Sequence, residues 1–255
     1  MSGQKAEKPV EKIKEQVHQV ARVESAPAPV RHYRAVLFQS VLVLIAVAFG
    51  ALTFLVKTMP SFAIDLQITR AIQSINFPLF APFMNILSWA GFAPQVTIIT
   101  VIIILLIYGM GLHWEAVMAL IAAIFSTAIN LLVKDLVQRP RPTAASVSVI
   151  EILKSYSFPS GHVMYYLGFL GFIGFLVFSL LKPSLKRSPL LVLIGIPVLL
   201  IGISRIYLGQ HWASDVLGSY LLGSLTLVAT IQFYRWGKTR FFVHQPVAPA
   251  GAQPA

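Results

Sequence analysis

The stretch from Ser204 to Asp215, SRIYLGQHWASD, decides how the rest of the chain is interpreted. It places an arginine, a histidine and an aspartate close together between two long apolar runs. His211 and Asp215 are four positions apart, so a helix that begins near His211 would carry both on one face. A carboxylate at that spacing can bond one imidazole nitrogen, fix the tautomer and leave the other nitrogen free to react. With Arg205 as a candidate anion ligand, the stretch predicts an activated histidine beside a bound anion.

The composition indicates a membrane protein. Of the 255 residues, 56% are hydrophobic and only 11% are charged, and the mean hydropathy of +0.76 is too high for a soluble domain. A membrane-crossing helix needs roughly 20 apolar residues, so about six spans fit. The net charge of +11 comes from basic residues at the N-terminus and at the ends of apolar runs, where they set topology and contact lipid headgroups. We therefore expect no nucleic-acid partner, and the absence of cysteine excludes thiol catalysis and disulfides.

The apolar runs predict an all-α polytopic membrane protein with six transmembrane helices and an interfacial helix between the first two. The predicted spans are Val36–Val56, Pro94–Met110, Trp114–Val133, His162–Leu181, Leu190–Ser204 and Trp212–Phe233. Isoleucines at helical spacing from Ile64 to Ile75 predict the interfacial helix. The run Phe77–Phe92 is interrupted by proline and glycine, and it is either a second interfacial piece or an extension of the second span.

The chain is predicted to have three parts. Residues 1–34 form a basic cytoplasmic tail, residues 35–241 the six-helix membrane domain, and residues 242–255 a disordered tail rich in Pro and Ala. Valine and isoleucine recur at helical spacing from Val10 to Val20, so the first tail is either a short amphipathic surface helix or disordered. This tail is too long for the n-region of a signal peptide, and the first apolar run is therefore interpreted as a retained span.

The distribution of Lys and Arg predicts the orientation. The N-terminal tail, the loop after the fourth span and the segment with Arg235, Lys238 and Arg240 after the sixth span are basic, which places all three in the cytoplasm when six spans are present. Three polar clusters then meet on the extracytoplasmic side, at residues 134–141, 159–162 and 204–215. We therefore predict a multi-pass cell-membrane protein with cytoplasmic termini and an extracytoplasmic active site.

The first two of these clusters each have a structural and a functional interpretation. Lys134, Arg139 and Arg141 either extend to lipid phosphates or bind an anion within a site. The sequence PSGH at 159–162 either only caps a helix or cradles a phosphate, because the N–H groups and dipole at a helix start attract anions. Their convergence with the third cluster favours the functional interpretation.

The three clusters resemble the three-part signature of the type 2 phosphatidic acid phosphatase superfamily, which also includes vanadium-dependent haloperoxidases. The matching pattern is Lys134, six residues and Arg141-Pro142; then Pro159-Ser160-Gly161-His162; then Ser204-Arg205, five residues, His211, three residues and Asp215. The family spacing selects Arg141 over Arg139, which either assists or only anchors lipid.

The resemblance implies hydrolysis of a phosphate ester through a phosphohistidine. It implies that His211 is the nucleophile, that Asp215 orients it, and that His162 serves first as general acid and then as general base. The resemblance also implies that three basic residues and two small ones hold the phosphoryl oxygens, namely Lys134, Arg141, Arg205, Ser160 and Gly161. The implied substrate is a lipid phosphate or diphosphate, such as phosphatidate, phosphatidylglycerophosphate or undecaprenyl diphosphate.

No cofactor and no metal are expected. Of the carboxylates in the predicted outer half, which are Asp65, Asp135, Glu151 and Asp215, only Asp215 lies in a motif, whereas two-metal sites need several. One alternative is a lipid phosphotransferase that uses the same site. Another is an anion transporter, although transport would spread charges through several spans. The sequence predicts no oligomeric state.

Overall fold

The computed structural model describes residues 28–59, 62–185 and 187–241. The regular secondary structure in these ranges is helical, with no strand. Their helices are α1 (Ala28–Thr58), α2 (Ala63–Gln73), α3 (Phe80–Trp89), α4 (Gln95–Gly109), α5 (His113–Val137), α6 (Gly161–Leu180), α7 (Arg187–Tyr207) and α8 (Ala213–Phe241). Helix α6 contains a π-helical turn at Tyr166–Leu170. The predictions for residues 1–27 and 242–255 fall outside the described residues.

Five described helices are long and apolar enough to cross a membrane, namely α1, α5, α6, α7 and α8. The second predicted span corresponds to α4, whose 15 residues are fewer than the roughly 20 that a full crossing needs. The predicted count of six spans is therefore not confirmed, although the several apolar helices do indicate a multi-pass membrane protein.

Helix α1 begins at Ala28, inside the predicted tail 1–34 and before the predicted start of the first span at Val36. Pro29 falls in the first helical turn, where its missing N–H is tolerated. The chain divides into two units, Met1–Leu44 and Ile45–Ala255, and the boundary lies within α1. All predicted site residues belong to the second unit.

Two apolar clusters position the helix ends that carry the motifs. The first joins α4, α5, α6 and α8, and its buried members include Met118, Ala122, Phe169 and Phe172. The second joins α3, α6, α7 and α8 around Leu87, Val163, Ile201 and Val216. Small residues such as Ala119 and Ala122 on α5 allow close helix contacts. As a result, the end of α5, the start of α6, the end of α7 and the start of α8 lie together.

Helix α2 forms where the isoleucine periodicity predicted a helix, but its buried residues are polar. Asp65 and Thr69 are buried, whereas Ile64 is 57% exposed. Because α2 packs against α7 and α8, hydrogen-bond partners within the protein decide which face is buried. The predicted placement in the membrane interface is not confirmed. The ambiguous run Phe77–Phe92 contains a helix of its own, α3, separate from α4.

Candidate active site

The end of α5 directs the first cluster into the site. Gln138 adopts a left-handed conformation (φ 56°, ψ 36°) and ends the helix, and its N–H donates to Lys134 O at 2.9 Å. The Lys134 ammonium donates to Tyr156 O at 2.8 Å, and Nη2 of Arg141 donates to the same oxygen at 3.1 Å. The two predicted phosphate ligands are therefore neighbours.

The turn between α7 and α8 brings His211 beside Arg205. The backbone N–H groups of Gln210 and His211 both donate to Arg205 O, at 3.1 and 3.3 Å. Gly209 has a positive φ of 67°, and a Cβ at this position would collide with the carbonyl of Ser148. Glycine is required here for its backbone freedom as well as its lack of a side chain.

Asp215 lies in the first turn of α8 and faces His211. Its Oδ2 accepts from the N–H of Trp212 at 2.8 Å, as a carboxylate at the third helical position does in a capping box. Nδ1 of His211 lies 3.6 Å from the same oxygen, longer than a hydrogen bond. Because α8 begins at Ala213, after His211, this pair forms through the helix cap and not along one helix face as the spacing had suggested.

The start of α6 contributes the second cluster. The N–H of Ser160 donates to Ser219 Oγ at 2.6 Å, while the buried Oγ of Ser160 has no hydrogen-bond partner among the described residues. A Cβ at Gly161 would lie 3.2 Å from Oδ1 of Asn130. Nε2 of His162 lies 3.1 Å from the carbonyl oxygen of Ser88. Because a carbonyl only accepts, this nitrogen is the one that carries a proton.

Arg205 is buried and contacts Ser88 and Phe92. Its Nη1 donates to Ser88 Oγ, and its guanidinium carbon lies 5.0 Å from the centre of the Phe92 ring. The Phe92 ring also contacts His162, with the ring centres 4.6 Å apart. Nε of Arg205 is buried and has no hydrogen-bond partner among the described residues, so this donor is available to an anion.

Burial and the surrounding positive charges both favour the neutral form of His211. Burial lowers its pKa well below the ordinary value, and the charges of Arg141, Arg205 and Lys134 lower it further. Burial also lowers the pKa of Arg141 to about 10, so this residue is still protonated at neutral pH. Nη1 of Arg141 lies 3.2 Å from Nε2 of His211. Since arginine only donates, Nε2 accepts, and the proton of the neutral imidazole is on Nδ1, toward Asp215.

Two open spaces lie beside α3, the helix that carries Ser88. A cleft of about 540 Å³ is lined by polar and aromatic side chains that include Ser88, Phe92, Glu151 and Gln210. An apolar groove of about 250 Å³ runs along the other side of α3 and is lined by Leu87, Tyr165, Tyr166 and Leu170, among others. Ile86 lines both spaces. A polar headgroup and an apolar chain could therefore both lie next to the site.

The structure brings together all three sequence clusters, and it adds residues that the sequence did not assign to the site. Arg139 forms ion pairs with Asp215 (2.5 Å) and Asp65 (2.8 Å), Ser157 donates to Asp215, and Ser88 contacts both Arg205 and His162. Asp65 and Ser88 lie in segments without a motif, so no local signal identified them. The sequence had placed Arg139 in the first basic cluster and in a repeated Arg-Pro pair, but it did not indicate a contact with Asp215. Among the described residues, no group of three His, Asp or Glu side chains could hold a metal ion.

Comparison with known proteins identifies the family. The model of the PAP2 superfamily matches residues 114–238. The chain is 34% identical over 131 residues to Phosphatidylglycerophosphatase B of Bacillus subtilis (strain 168), which covers 48% of this chain and 62% of that protein. It is 29% identical over 109 residues to human Sphingosine-1-phosphate phosphatase 2, with 40% of this chain and 26% of that protein covered. The chain thus spans less than two thirds of the length of either curated relative.

Solved structures show the same fold. The crystal structure of the first transmembrane PAP2 type phosphatidylglycerolphosphate phosphatase from Bacillus subtilis aligns with a TM-score of 0.66 and 26% identity, over 76% of this chain and 96% of that one. Aquifex aeolicus LpxE aligns with a TM-score of 0.54 and 22% identity, over 68% and 98% of the two chains, a similarity of fold alone. Residues 114–238 therefore match the PAP2 superfamily, and the chain shares the fold of these solved structures.

Proposed function

We propose that this protein hydrolyses a phosphate ester of a membrane lipid through a phosphohistidine on His211, without a metal ion. The observation that carries the proposal is the position of His211, whose Nε2 lies 3.2 Å from Nη1 of Arg141 and whose Nδ1 faces Asp215. The unprotonated nitrogen of an imidazole is a nucleophile, and fixed cations stabilise the charge on a transferring phosphoryl group.

The reaction consists of two displacements at phosphorus. In the first, Nε2 of His211 forms a P–N bond while the P–O bond to the lipid breaks, and His162 in its imidazolium form donates a proton to the leaving oxygen and becomes neutral. In the second, His162 takes a proton from water, whose oxygen attacks phosphorus and breaks the P–N bond. Asp215 stabilises the positive imidazole ring in both steps.

The phosphoryl oxygens would be held by Lys134, Arg141 and Arg205, together with Ser160 Oγ and the Gly161 N–H. The unpartnered Nε of Arg205 and Oγ of Ser160 support this assignment, because both are buried donors without a partner among the described residues. The cleft beside Ser88 would take the leaving headgroup, and the apolar groove beside Tyr166 would take an acyl or prenyl chain.

The names of the curated relatives support a lipid phosphomonoester as substrate, since one is a phosphatidylglycerophosphatase and the other a sphingosine-1-phosphate phosphatase. We further propose that the site faces the extracytoplasmic side and that both termini are cytoplasmic, as the distribution of Lys and Arg predicts. Reporter fusions at each terminus test this orientation, and opposite locations of the two reporters would contradict it.

Phosphate release by the purified protein tests the activity. The panel contains phosphatidate, phosphatidylglycerophosphate, sphingosine 1-phosphate and undecaprenyl diphosphate, with His211→Ala as the inactive variant. Arg70→Gln is the matched control, because Arg70 is exposed and donates only to Ser146 O among the described contacts. Release from no member of the panel, or equal release by wild type and His211→Ala, contradicts the proposal.

Two further measurements examine the mechanism. Labelled substrate should leave acid-labile, base-stable label on the wild type and none on His211→Ala, and transfer of the label to an alcohol acceptor instead of water would favour the phosphotransferase alternative. Activity should survive a strong chelator. Loss of activity with the chelator and recovery with a divalent ion would overturn the metal-free mechanism.

A further inference from the structure

We propose that Asp65 and Arg139 are positioning residues that hold Asp215 in the orientation His211 needs. This inference rests on the proposed function, because it assigns these residues a part in the same reaction. It also gives α2, which lies outside all three sequence motifs, a direct connection to the site.

Arg139 joins two buried carboxylates. It is 1% exposed, and its Nη1 donates to Asp215 Oδ1 at 2.5 Å and to Ser214 Oγ at 2.7 Å. Its Nη2 donates to Asp65 Oδ2 at 2.8 Å. Both terminal nitrogens thus bind carboxylates, which hold a guanidinium more strongly than the carbonyl and hydroxyl oxygens that Arg141 contacts.

Asp65 also binds the first turn of α8. Its Oδ1 accepts from the Ser214 N–H at 2.8 Å, and its Oδ2 accepts from Ser214 Oγ at 2.6 Å. The N–H groups at a helix start have no partner within the helix, and the helix dipole favours a negative charge there. Asp65 therefore caps α8 from a separate helix, one residue before Asp215.

These contacts leave Asp215 a single orientation. Nη1 of Arg139 donates to Oδ1, while Ser157 Oγ and the Trp212 N–H donate to Oδ2. Oδ2 is also the oxygen nearest to Nδ1 of His211. If Arg139 were lost, Oδ1 would lack its ionic partner, and the carboxylate could rotate away from the imidazole.

The charge of Asp65 balances Arg139. With Asp65→Asn, the full charge of Arg139 would act on Asp215 alone and weaken the attraction of that carboxylate for the positive His211 ring. Formation of the phosphohistidine would slow, while the groups that hold the phosphate would be unchanged. Loss of the outer partner of a metal ligand typically costs about 10- to 100-fold, and by analogy we expect a decrease of that size in kcat.

The test compares kcat, KM and the Kd of orthovanadate, used as a phosphate analogue, for the wild type, Asp65→Asn, Arg139→Lys and Arg139→Gln. The control is Arg70→Gln, which removes an exposed charge from α2, the helix that carries Asp65. We expect Asp65→Asn and Arg139→Gln to lower kcat by about 10-fold or more, with KM and Kd within about threefold of wild type. Arg139→Lys should retain part of the lost rate.

A double variant separates a positioning unit from two independent effects. Asp65→Asn with Arg139→Gln should lose no more activity than Arg139→Gln alone, because both changes disrupt one network. Should Asp65→Asn fail to fold, Ser214→Ala removes only the hydroxyl that bridges Asp65 and Arg139, and it should show the same selective loss of kcat to a smaller extent.

Several results would overturn the inference. Wild-type kcat in folded Asp65→Asn or Ser214→Ala would do so, as would a parallel loss of orthovanadate binding in Arg139→Gln, which would make Arg139 a phosphate ligand. Additive losses in the double variant would also contradict it. If the wild type releases no phosphate, or if its release does not depend on His211, the proposed function itself is refuted.

Discussion

Replacing Arg141 with Gln is expected to move the acidic limb of the pH–rate profile to higher pH. Nη1 of Arg141 lies 3.2 Å from Nε2 of His211, and its charge is the largest cause, after burial, of the lowered His211 pKa. A lowered pKa keeps the imidazole neutral, and so nucleophilic, as the pH falls below its usual value of about 6.5. Removing this charge raises the pKa, so the reactive form is lost at a higher pH.

The separation of the two nitrogens bounds the size of the effect. Unit charges 3.2 Å apart repel by about 1 kcal/mol in water and by about 5 kcal/mol at an effective dielectric constant of about 20. Because one pH unit corresponds to about 1.4 kcal/mol, the acidic limb of the pH–rate profile should move up by about one to four pH units. Arg141 is half-buried, and solvent screening therefore favours the lower part of this range.

The assay measures kcat/KM with radiolabelled lipid phosphate between about pH 4 and pH 9. High sensitivity is necessary, since loss of one donor to the phosphoryl group typically costs about 10²- to 10³-fold in kcat. Ionisation of the substrate is common to both enzymes and does not enter their difference, and Arg70→Gln should reproduce the wild-type profile. An acidic limb at the same pH in wild type and Arg141→Gln would refute this account of His211.

Three further changes test other parts of the structure. Gly209→Ala should lower both kcat and the thermal unfolding temperature, because the left-handed backbone disfavours a Cβ by about 1–2 kcal/mol and the Cβ would collide with a carbonyl; Gly195→Ala, where a Cβ meets nothing within 4 Å, should not. Glu115→Ala should lower the free energy of unfolding, measured in detergent, by about 1–3 kcal/mol and leave kcat unchanged. The reason is that Tyr234 OH and the Lys238 ammonium both donate to this carboxylate. Unchanged stability would contradict this. Ser160→Ala should weaken orthovanadate binding by about 10-fold, the loss of one charge-assisted hydrogen bond of about 1.5 kcal/mol, and unchanged binding would remove Ser160 from the phosphate pocket.

Helix type and approximate position were predictable where apolar runs are long. Helices α5, α6, α7 and α8 cover the third to sixth predicted spans, and α5 and α8 continue past the predicted ends at Val133 and Phe233 through polar residues. Hydropathy detects the apolar part of such a helix, whereas the backbone hydrogen bonds that continue it are independent of side-chain polarity. The predicted second span, Pro94–Met110, extends one residue beyond α4 at each end, and hydropathy alone did not show whether so short a helix crosses the membrane.

The sequence by itself determined which chemical groups could form a site. Each motif lies at the end of an apolar helix, and consecutive helices that cross in alternate directions return such ends to the same level, so Lys134, Ser160 and His211 were predicted to converge. Only the tertiary structure decided how Asp215 is held and that Arg139 and Asp65 hold it. A hydrophobic pattern reports the average burial of one segment, but a buried charge is stabilised by a specific partner, and Asp65 lies 74 positions from Arg139 along the chain. That pairing arises from packing between distant helices, and neither segment carries a local signal for it.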